Sequence, residues 1–192
     1  MMRAAAIHPR QLDDSRERLL EIIKERSWLR GNDFKLSSGK HSNYFFDMKK
    51  TMFHPEGINL ISKVVYSLIR DDRDVQAVGG LEIGAIPVVL GVCMWSLHER
   101  PIQGFFVRKA TKGHGTNKLI DGNLERDSTV VLFDDVMTTG DSAMQAVEAV
   151  LTQGCKIKKV ITVVDRLEGA QENFAKRGIK LESVFTREDF GD

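Results

Sequence analysis

Several features are scarce in this sequence, and each scarcity excludes a class of protein. The 192 residues include only two cysteines, Cys93 and Cys155, in separate apolar stretches, so we expect buried free thiols rather than a disulfide or a metal pair. No apolar run approaches the roughly 18 residues of a membrane helix, and residues 1–15 lack the apolar core of a signal peptide. The formal net charge is only +1, so no global charge attracts nucleic acid or a membrane. These absences predict a cytoplasmic protein with neither kind of partner.

Common catalytic signatures are missing as well. The sequence contains no GxxxxGK[ST], GxGxxG, HExxH or GxSxG motif, which argues against P-loop, dinucleotide-binding, zinc-protease and α/β-hydrolase sites. It also contains no internal repeat, low-complexity segment or linker. With 42% hydrophobic and 29% charged residues, residues 1–192 are predicted to form a single domain.

The pattern of apolar residues predicts an α/β fold. Helices are predicted at residues 13–26, 55–70, 86–97, 142–153 and 169–176. Strands are predicted at residues 34–36, 44–47, 75–78, 104–107, 129–133, 160–164 and 181–185, and a long mobile loop at 109–122. Because strands and helices alternate from residue 55 onward, we expect a central, mostly parallel sheet flanked by helices. About residues 1–50 are predicted to form a small N-terminal hood subdomain over the strand carboxyl ends, and about 51–192 the α/β core.

The most informative segment is VVLFDDVMTTGDS, residues 130–142. Four apolar residues predict a buried strand, and Asp134 and Asp135 follow directly. A Thr-Thr-Gly turn then leads into a helix that is predicted to open at Ser142. Two carboxylates can accept hydrogen bonds from ribose hydroxyls, and backbone N–H groups at a helix start can hold a phosphate. The alternative is an ordinary strand end and helix cap, since Thr, Gly, Asp and Ser are common in both.

A second polar segment is VRKATKGHG, residues 107–115. It offers four potential cations within seven positions, namely Arg108, Lys109, Lys112 and His114. Such groups can donate charge-assisted hydrogen bonds to a diphosphate that gains negative charge as it leaves, and the flanking glycines would let the loop open and close. The alternative is a solvated basic surface loop.

Residues 130–142 resemble the phosphoribosyl-diphosphate (PRPP) motif of type I phosphoribosyltransferases, which transfer ribose 5-phosphate to a nitrogen nucleophile. Residues 107–115 resemble the catalytic loop of the orotate phosphoribosyltransferases within that family. Three further segments are similar to blocks of the same family and occur in the same order: FKLSSGKHSNYFFDMK, VGGLEIGAIPV and VVDRLEGA. The second of these resembles the family's diphosphate-facing loop.

The resemblance implies roles for individual residues. Those implied to bind PRPP are Arg108, Lys109, Lys112, His114, Asp134, Asp135, Val136, Met137, Thr138, Thr139, Gly140, Asp141 and Ser142. Those implied to contact orotate are Phe45, Phe46, Thr138 and Arg166. Lys112, Asp134 and Asp135 are the predicted catalytic residues. From the residues alone, Arg166 could equally pair with Asp165 or Glu168 at the surface, and the two phenylalanines could be core residues.

Two positions depart from the family pattern, and one of them is Asn43, where a proline is frequent. Many members have a lysine that contacts PRPP where this chain has Ser37. Lys40 or Lys49 could supply the missing charge.

The resemblance also implies a reaction, in which orotate and PRPP give orotidine 5′-phosphate and diphosphate. It implies a homodimer with shared active sites, because part of the catalytic loop reaches the partner subunit in this family. The diphosphate suggests Mg²⁺, held mainly by substrate oxygens and water, so no protein metal ligand is predicted. Two alternatives are a phosphoribosyltransferase for another base and a PRPP-sensing regulator, although balanced charge disfavours a nucleic-acid-binding regulator.

Overall fold

A computed structural model describes residues 9–35, 41–97, 99–110 and 118–191. The helices are α1 (Pro9–Arg26), α2 (Lys49–Met52), α3 (Pro55–Ile69), α4 (Ile86–Ser96), α5 (Asp141–Thr152) and α6 (Ala170–Ala175). The strands are β1 (Trp28–Lys35), β2 (His41–Phe46), β3 (Val75–Gly79), β4 (Gln103–Val107), β5 (Ile120–Gly122), β6 (Thr129–Met137), β7 (Lys156–Asp165) and β8 (Leu181–Thr186). A short 3-10 helix, Arg187–Phe190, follows β8.

Six strands form the main sheet in the order β5-β4-β3-β6-β7-β8. All neighbouring pairs are parallel except β4 and β5, which are antiparallel. The predicted α/β fold with a mostly parallel central sheet is therefore confirmed. The longest strands, β6 and β7, each contain a continuous run of buried residues, as expected for parallel strands that are covered on both faces.

Helices cover both faces of this sheet. Alternate side chains of β6 belong to two different apolar clusters, one on each face. Val131 and Phe133 belong to one apolar cluster, which also contains residues of α1, α3 and α4. Val130 and Leu132 belong to a second cluster, together with residues of α5 and α6. Because successive strand residues point to opposite faces, β6 contributes to both halves of the core and holds its carboxyl end rigidly.

The N-terminal part forms the predicted small subdomain, an antiparallel pair of β1 and β2 in which Trp28 lies opposite Phe46. Several contacts attach this subdomain to the rest of the chain, and two of them lie beside β1 and β2. The hydroxyls of Ser27 and Thr51 are 2.6 Å apart, and the ring centroid of Phe46 is 4.8 Å from that of Phe190.

Several predicted boundaries were wrong. Helix α1 begins at Pro9 rather than residue 13, and β1 begins at Trp28 rather than residue 34. Part of the predicted loop at 109–122 is strand β5, because Ile120 pairs with Val107 at the sheet edge. Strand β6 does not stop at residue 133 but continues to Met137, since its ladder with β7 extends to the pair Met137 and Asp165. Among the described residues, no helix is both long enough and apolar enough to cross a membrane.

Candidate active site

The candidate site lies where β6 ends and α5 begins, at the carboxyl edge of the parallel strands. A cavity of about 270 Å³ opens there, and we call it the α5 cavity. Its lining consists of Asp134, Val136, Met137, Thr138, Thr139, Gly140, Asp141, Ser142 and Gln145. All residues of the predicted 134–142 stretch except Asp135 therefore meet around one cavity.

The turn before α5 suits an anion. Gly140 adopts a left-handed conformation (φ +85°) and precedes the first residue of the helix. A Cβ at this position would lie 2.7 Å from the ring of Phe174, so the packing also requires glycine. The amide of Asn173 donates to the carbonyl of Thr139 at 3.0 Å, which fixes the turn from the other side. Backbone N–H groups at the start of the 12-residue helix α5 thus face a cavity of fixed shape, an arrangement that favours phosphate.

A second cavity, of about 370 Å³, adjoins the first at Asp134. It is lined by Lys49, Leu81, Glu82, Ile83, Gly84, Lys109, Asp134, Asp135, Val136 and Ser142. We call it the loop cavity, because residues 81–84, between β3 and α4, form one of its walls. The two cavities share Asp134, Val136 and Ser142, so one extended ligand could occupy both.

The acidic pair lies between these cavities, with Asp134 buried and Asp135 partly buried. The Oδ1 atom of Asp134 accepts a hydrogen bond from the backbone N–H of Asp135 at 3.1 Å. The Oδ1 atom of Asp135 likewise accepts from the N–H of Val136 at 2.9 Å. Burial, followed by the nearby charge of Asp135, raises the pKa of Asp134 to about 8. Burial also raises the pKa of Asp135. A positive charge that develops beside the pair would be stabilised strongly, because both carboxyls then regain their ionised form in a low-dielectric setting.

The 81–84 loop passes directly against this pair. A Cβ built on Gly84 would lie 2.8 Å from Oδ1 of Asp135 and 3.0 Å from Oδ1 of Asp134. Glu82 joins the loop to the segment that follows β4, since its Oε1 accepts from the backbone N–H of Lys109 at 3.1 Å. Only glycine permits so close an approach of loop backbone to the carboxylates.

The predicted cationic residues separate into three groups. Lys109 lines the loop cavity, as predicted. Arg108 forms an ion pair with Asp121 of β5, and its guanidinium lies 5.1 Å from the centroid of the Phe106 ring. Neighbouring residues of an extended segment point in opposite directions, so Arg108 does not line either cavity of its own chain. Lys112 and His114 lie outside the described residues.

Arg166 follows β7, and its side chain is only 4% exposed. Its Nε donates to Glu168 at 2.8 Å and its Nη2 to the hydroxyl of Ser42 at 3.2 Å. The guanidinium also stacks over Tyr44, 4.4 Å from the ring centroid. These contacts fix the orientation of a buried cation between the N-terminal subdomain and the core.

The two predicted aromatic residues differ in position. Phe46 is buried in the core against Phe190. Phe45 is partly exposed and stacks on Phe34, with ring centroids 5.9 Å apart. Of this pair, Phe45 is therefore the one with a surface that a ligand could reach. Thr138, predicted to contact orotate, lines the α5 cavity.

Sequence reasoning assigned no role to Glu82, Gly84 or Ser42, and mentioned Lys49 only as one possible source of charge. The segment that contains Glu82 and Gly84 was identified as a diphosphate-facing loop, but single residues could not be chosen without knowing where that loop passes. Ser42 gave no signal, because its contact with Arg166 spans 124 positions of sequence.

The donor chemistry around the loop cavity is compatible with magnesium. Three carboxylates, those of Glu82, Asp134 and Asp135, line it, and Mg²⁺ prefers oxygen ligands while keeping several waters. Among the residues that the structure describes, no three acidic, His or Cys side chains are grouped closely enough to bind a metal ion directly. These carboxylates therefore fit Mg²⁺ as acceptors for its bound water rather than as a complete set of direct ligands.

Comparison with known protein families and structures gives consistent matches. Residues 54–189 match the family model described as the phosphoribosyl transferase domain. An orotate phosphoribosyltransferase of Rhodopseudomonas palustris (strain BisB5) is 42% identical over 181 residues, which cover 92% of this chain and 96% of the relative. One from Aquifex aeolicus is 44% identical over 173 residues, covering 88% and 94%.

Among solved structures, orotate phosphoribosyltransferase of Mycobacterium tuberculosis in complex with PRPP is similar to this chain. The two share 34% identity with a TM-score of 0.77, over 93% of this chain and 99% of the other. The similarity therefore extends over the N-terminal subdomain as well as the α/β core.

Proposed function

This chain belongs to the orotate phosphoribosyltransferase family, and we therefore propose that it transfers the ribose 5-phosphate group of PRPP to orotate. The products are orotidine 5′-phosphate and diphosphate, a step of pyrimidine biosynthesis. The observation that carries the proposal is the cavity lined by residues 136–142 beside the acidic pair Asp134 and Asp135. That cavity offers a phosphate site and two carboxylates for a ribose within one rigid turn.

The chain's own residues perform the chemistry mainly by position and charge. The 5-phosphate binds at the start of α5, in the α5 cavity. Asp134 and Asp135 accept hydrogen bonds from the ribose hydroxyls and stabilise positive charge at C1 as the bond to diphosphate breaks. Lys109, together with Lys112 and His114 of the catalytic loop, balances the charge of the departing diphosphate. A nitrogen of orotate then attacks C1 from the opposite face, with no covalent enzyme intermediate.

Arg166 is the residue proposed to select the acceptor. A guanidinium can bind a carboxylate through two parallel hydrogen bonds, and orotate carries a carboxylate that the purine bases lack. Glu168, Ser42 and Tyr44 hold the guanidinium in place, so little side-chain entropy is lost when the acceptor binds. Thr138 and Phe45 complete the proposed acceptor site.

Magnesium is proposed as the cofactor. When bound with PRPP it neutralises charge on the diphosphate, which otherwise faces the three carboxylates of the loop cavity. No protein ligand is assigned to the ion. Turnover should stop in excess chelator and return when Mg²⁺ is added.

We further propose a homodimer in which a second copy covers helix α4. This helix is apolar on opposite sides: Val88 and Val92 are buried, while Leu90, Met94 and, directly after the helix, Leu97 are at least 60% exposed. An exposed apolar helix face of this kind is typical of a subunit interface. Ile83, which is 60% exposed and lies in the 81–84 loop, extends the apolar surface to the edge of the loop cavity.

A partner that packs on α4 would thus reach the active site, which agrees with a catalytic loop shared between subunits. Arg108 then serves the partner's site or holds β5 in place, since it does not line its own. The cytoplasmic location stays a prediction, and cell fractionation would test it.

The acceptor is tested by mixing the protein with PRPP, Mg²⁺ and one base at a time. Orotate absorbance should fall only when PRPP is present, while adenine, guanine and hypoxanthine should not be consumed. An Arg166→Lys variant keeps the charge but cannot form the planar fork, so its KM for orotate should rise about 10-fold or more. Efficient use of a purine without use of orotate would disprove the assignment.

A further inference from the structure

We propose that Lys49 binds the diphosphate group of PRPP; Ser37 and Lys40 lie outside the described residues. This inference rests on the proposed function, because it names a residue for the same substrate. It begins from an observation about geometry: Lys49 and Lys109 are the two cationic residues among the described lining of the loop cavity.

Lys49 lines this cavity, and a neighbouring carboxylate anchors its side chain. It is the first residue of α2, directly after the N-terminal subdomain. Its Nζ lies 3.2 Å from Oδ1 of Asp47, and the backbone N–H of Asp47 donates to the carbonyl of Ser27 at 2.8 Å. The Oδ1 atom of Asp47 is buried and has no hydrogen bond among the described residues, so the ammonium group is its ionic partner. The Lys49 side chain is therefore anchored to Asp47, and 61% of it remains exposed to solvent.

The balance of acidic and basic side chains in the loop cavity favours a role for Lys49 beside Lys109 in binding an anion. Glu82, Asp134 and Asp135 give three acidic groups against Lys49 and Lys109, so the described lining carries more acid than base. Once Asp134 and Asp135 are ionised, a diphosphate in this cavity meets unfavourable charge unless both cations take part. Asp135 is close enough to Lys49 to respond to it: burial raises the pKa of Asp135, and the charge of Lys49 acts in the opposite direction.

Lys50 provides a matched control. It is the next residue of the same helix, carries the same charge and is exposed, but it does not line the cavity. A general effect of surface charge on an anionic substrate would be lost equally in both variants. A specific contact with the diphosphate would be lost only when Lys49 changes.

The experiment compares Lys49→Gln, Lys49→Arg and Lys50→Gln. Affinity for PRPP with Mg²⁺ is measured by calorimetry, and KM for PRPP and for orotate by turnover. Lys49→Gln should weaken PRPP binding and raise its KM about 10- to 100-fold, the usual range for losing one charge-assisted hydrogen bond. The KM for orotate and the melting temperature should change little. Lys49→Arg should recover most of the affinity, and Lys50→Gln should match wild type.

Two results would overturn the inference: Lys49→Gln binding PRPP as tightly as wild type, or Lys50→Gln losing as much affinity as Lys49→Gln. Failure of the proposed function gives a different pattern, because the wild-type protein would then bind PRPP without consuming orotate. In that case the binding comparison still decides the role of Lys49. Inorganic diphosphate with Mg²⁺ serves as a second probe, and its affinity should fall in Lys49→Gln in the same proportion.

Discussion

At the scale of single residues, Asp134 and Asp135 are expected to lower the stability of the folded chain while they serve the reaction. Each carboxyl is buried beside the other, and burial raises the pKa of both. A buried carboxylate destabilises the folded chain at neutral pH, yet the same low-dielectric setting strengthens its interaction with a positive charge. The pair is therefore expected to be kept for the reaction rather than for the fold.

The variant Asp134→Asn tests whether this carboxyl lowers stability and supports turnover. Asn keeps the size and still accepts the hydrogen bond from the N–H of Asp135. We expect turnover to fall about 100-fold or more, since an interaction with developing charge is lost. At pH 8, the free energy of unfolding should rise by about 1–3 kcal/mol, because folding no longer requires this position to take up a proton or to bury a charge.

The pH dependence of that stability gain follows from the direction of the shift. The pKa of Asp134 rises from its ordinary value of 3.8 to about 8 in the folded chain. Between these values the folded state holds a proton that the unfolded state has lost, so wild-type stability falls as pH rises. The gap between Asp134→Asn and wild type in denaturant titrations should therefore widen from pH 4 to pH 8. Asp71→Asn, at an exposed position, should show no such gap, and a gap independent of pH would contradict the explanation.

Single residues also show what the sequence could not reveal. The stretch 134–142 could be predicted as a binding site because strand, carboxylates and turn are neighbours in sequence. Arg166 and Ser42 meet only through the fold. The separation of Arg108 from Lys109 depends on the direction of each side chain, which the motif alone does not specify.

At the scale of elements, the 81–84 loop and the end of β6 form one unit. The loop backbone lies so close to both carboxylates that only glycine fits at position 84. We therefore expect Gly84→Ala to push the loop or the carboxylates aside by a few tenths of an ångström or more. Misplacement of this kind can reduce kcat by about 100-fold.

Gly178→Ala is the control for this prediction. Gly178 has a φ of +67°, but no atom lies within 4 Å of a Cβ built there, so alanine would strain only the backbone. That variant should lose about 1–2 kcal/mol of stability and keep its turnover. If Gly84→Ala retains wild-type kcat in steady-state assays, the loop is more distant from the reacting groups than proposed.

Element boundaries show where sequence patterns reach their limit. The apolar run 130–133 predicted β6, but pairing with β7 extends the strand through both aspartates to Met137. Strand β5 has three residues and exists because β4 offers an open edge. Backbone hydrogen bonds between distant segments determine both features, and side-chain periodicity does not encode such pairing.

At the scale of the whole molecule, the exposed apolar face of α4 predicts that the chain functions as a dimer. Met94 is 73% exposed. Met94→Glu should therefore leave a monomer unaffected, but it should weaken a dimer in which a second copy packs on α4. We expect sedimentation to show a dimer for wild type and mainly monomer for this variant, with turnover largely lost. Leu151→Glu, on an exposed position of α5, should remain dimeric and active.

Subunit mixing tests whether the sites are shared. Lys112→Ala and the double variant Asp134→Asn/Asp135→Asn should each be weak. In a mixed dimer with a shared loop, one site would contain an intact loop and an intact acidic pair, so activity should recover toward half of wild type. A wild-type monomer with full activity, or mixed dimers without recovery, would show that the loop serves its own chain.

The architecture itself was largely predictable because local signals agreed. Strand and helix alternation after residue 55 gave the parallel sheet, and the N-terminal segments gave the small subdomain. The arrangement of the two cavities was not predictable, since Lys49, the 81–84 loop and the end of β6 come together from three distant parts of the chain.

The proposed reaction is tested most directly by phosphorus NMR of a mixture of protein, PRPP, orotate and Mg²⁺. The PRPP signals should disappear while those of orotidine 5′-phosphate and diphosphate appear in equal amounts, matched by the loss of orotate absorbance. The Asp134→Asn/Asp135→Asn protein should leave PRPP unchanged over the same period. Persistence of PRPP with the wild-type protein, or its breakdown to ribose 5-phosphate without loss of orotate, would contradict the proposed transfer.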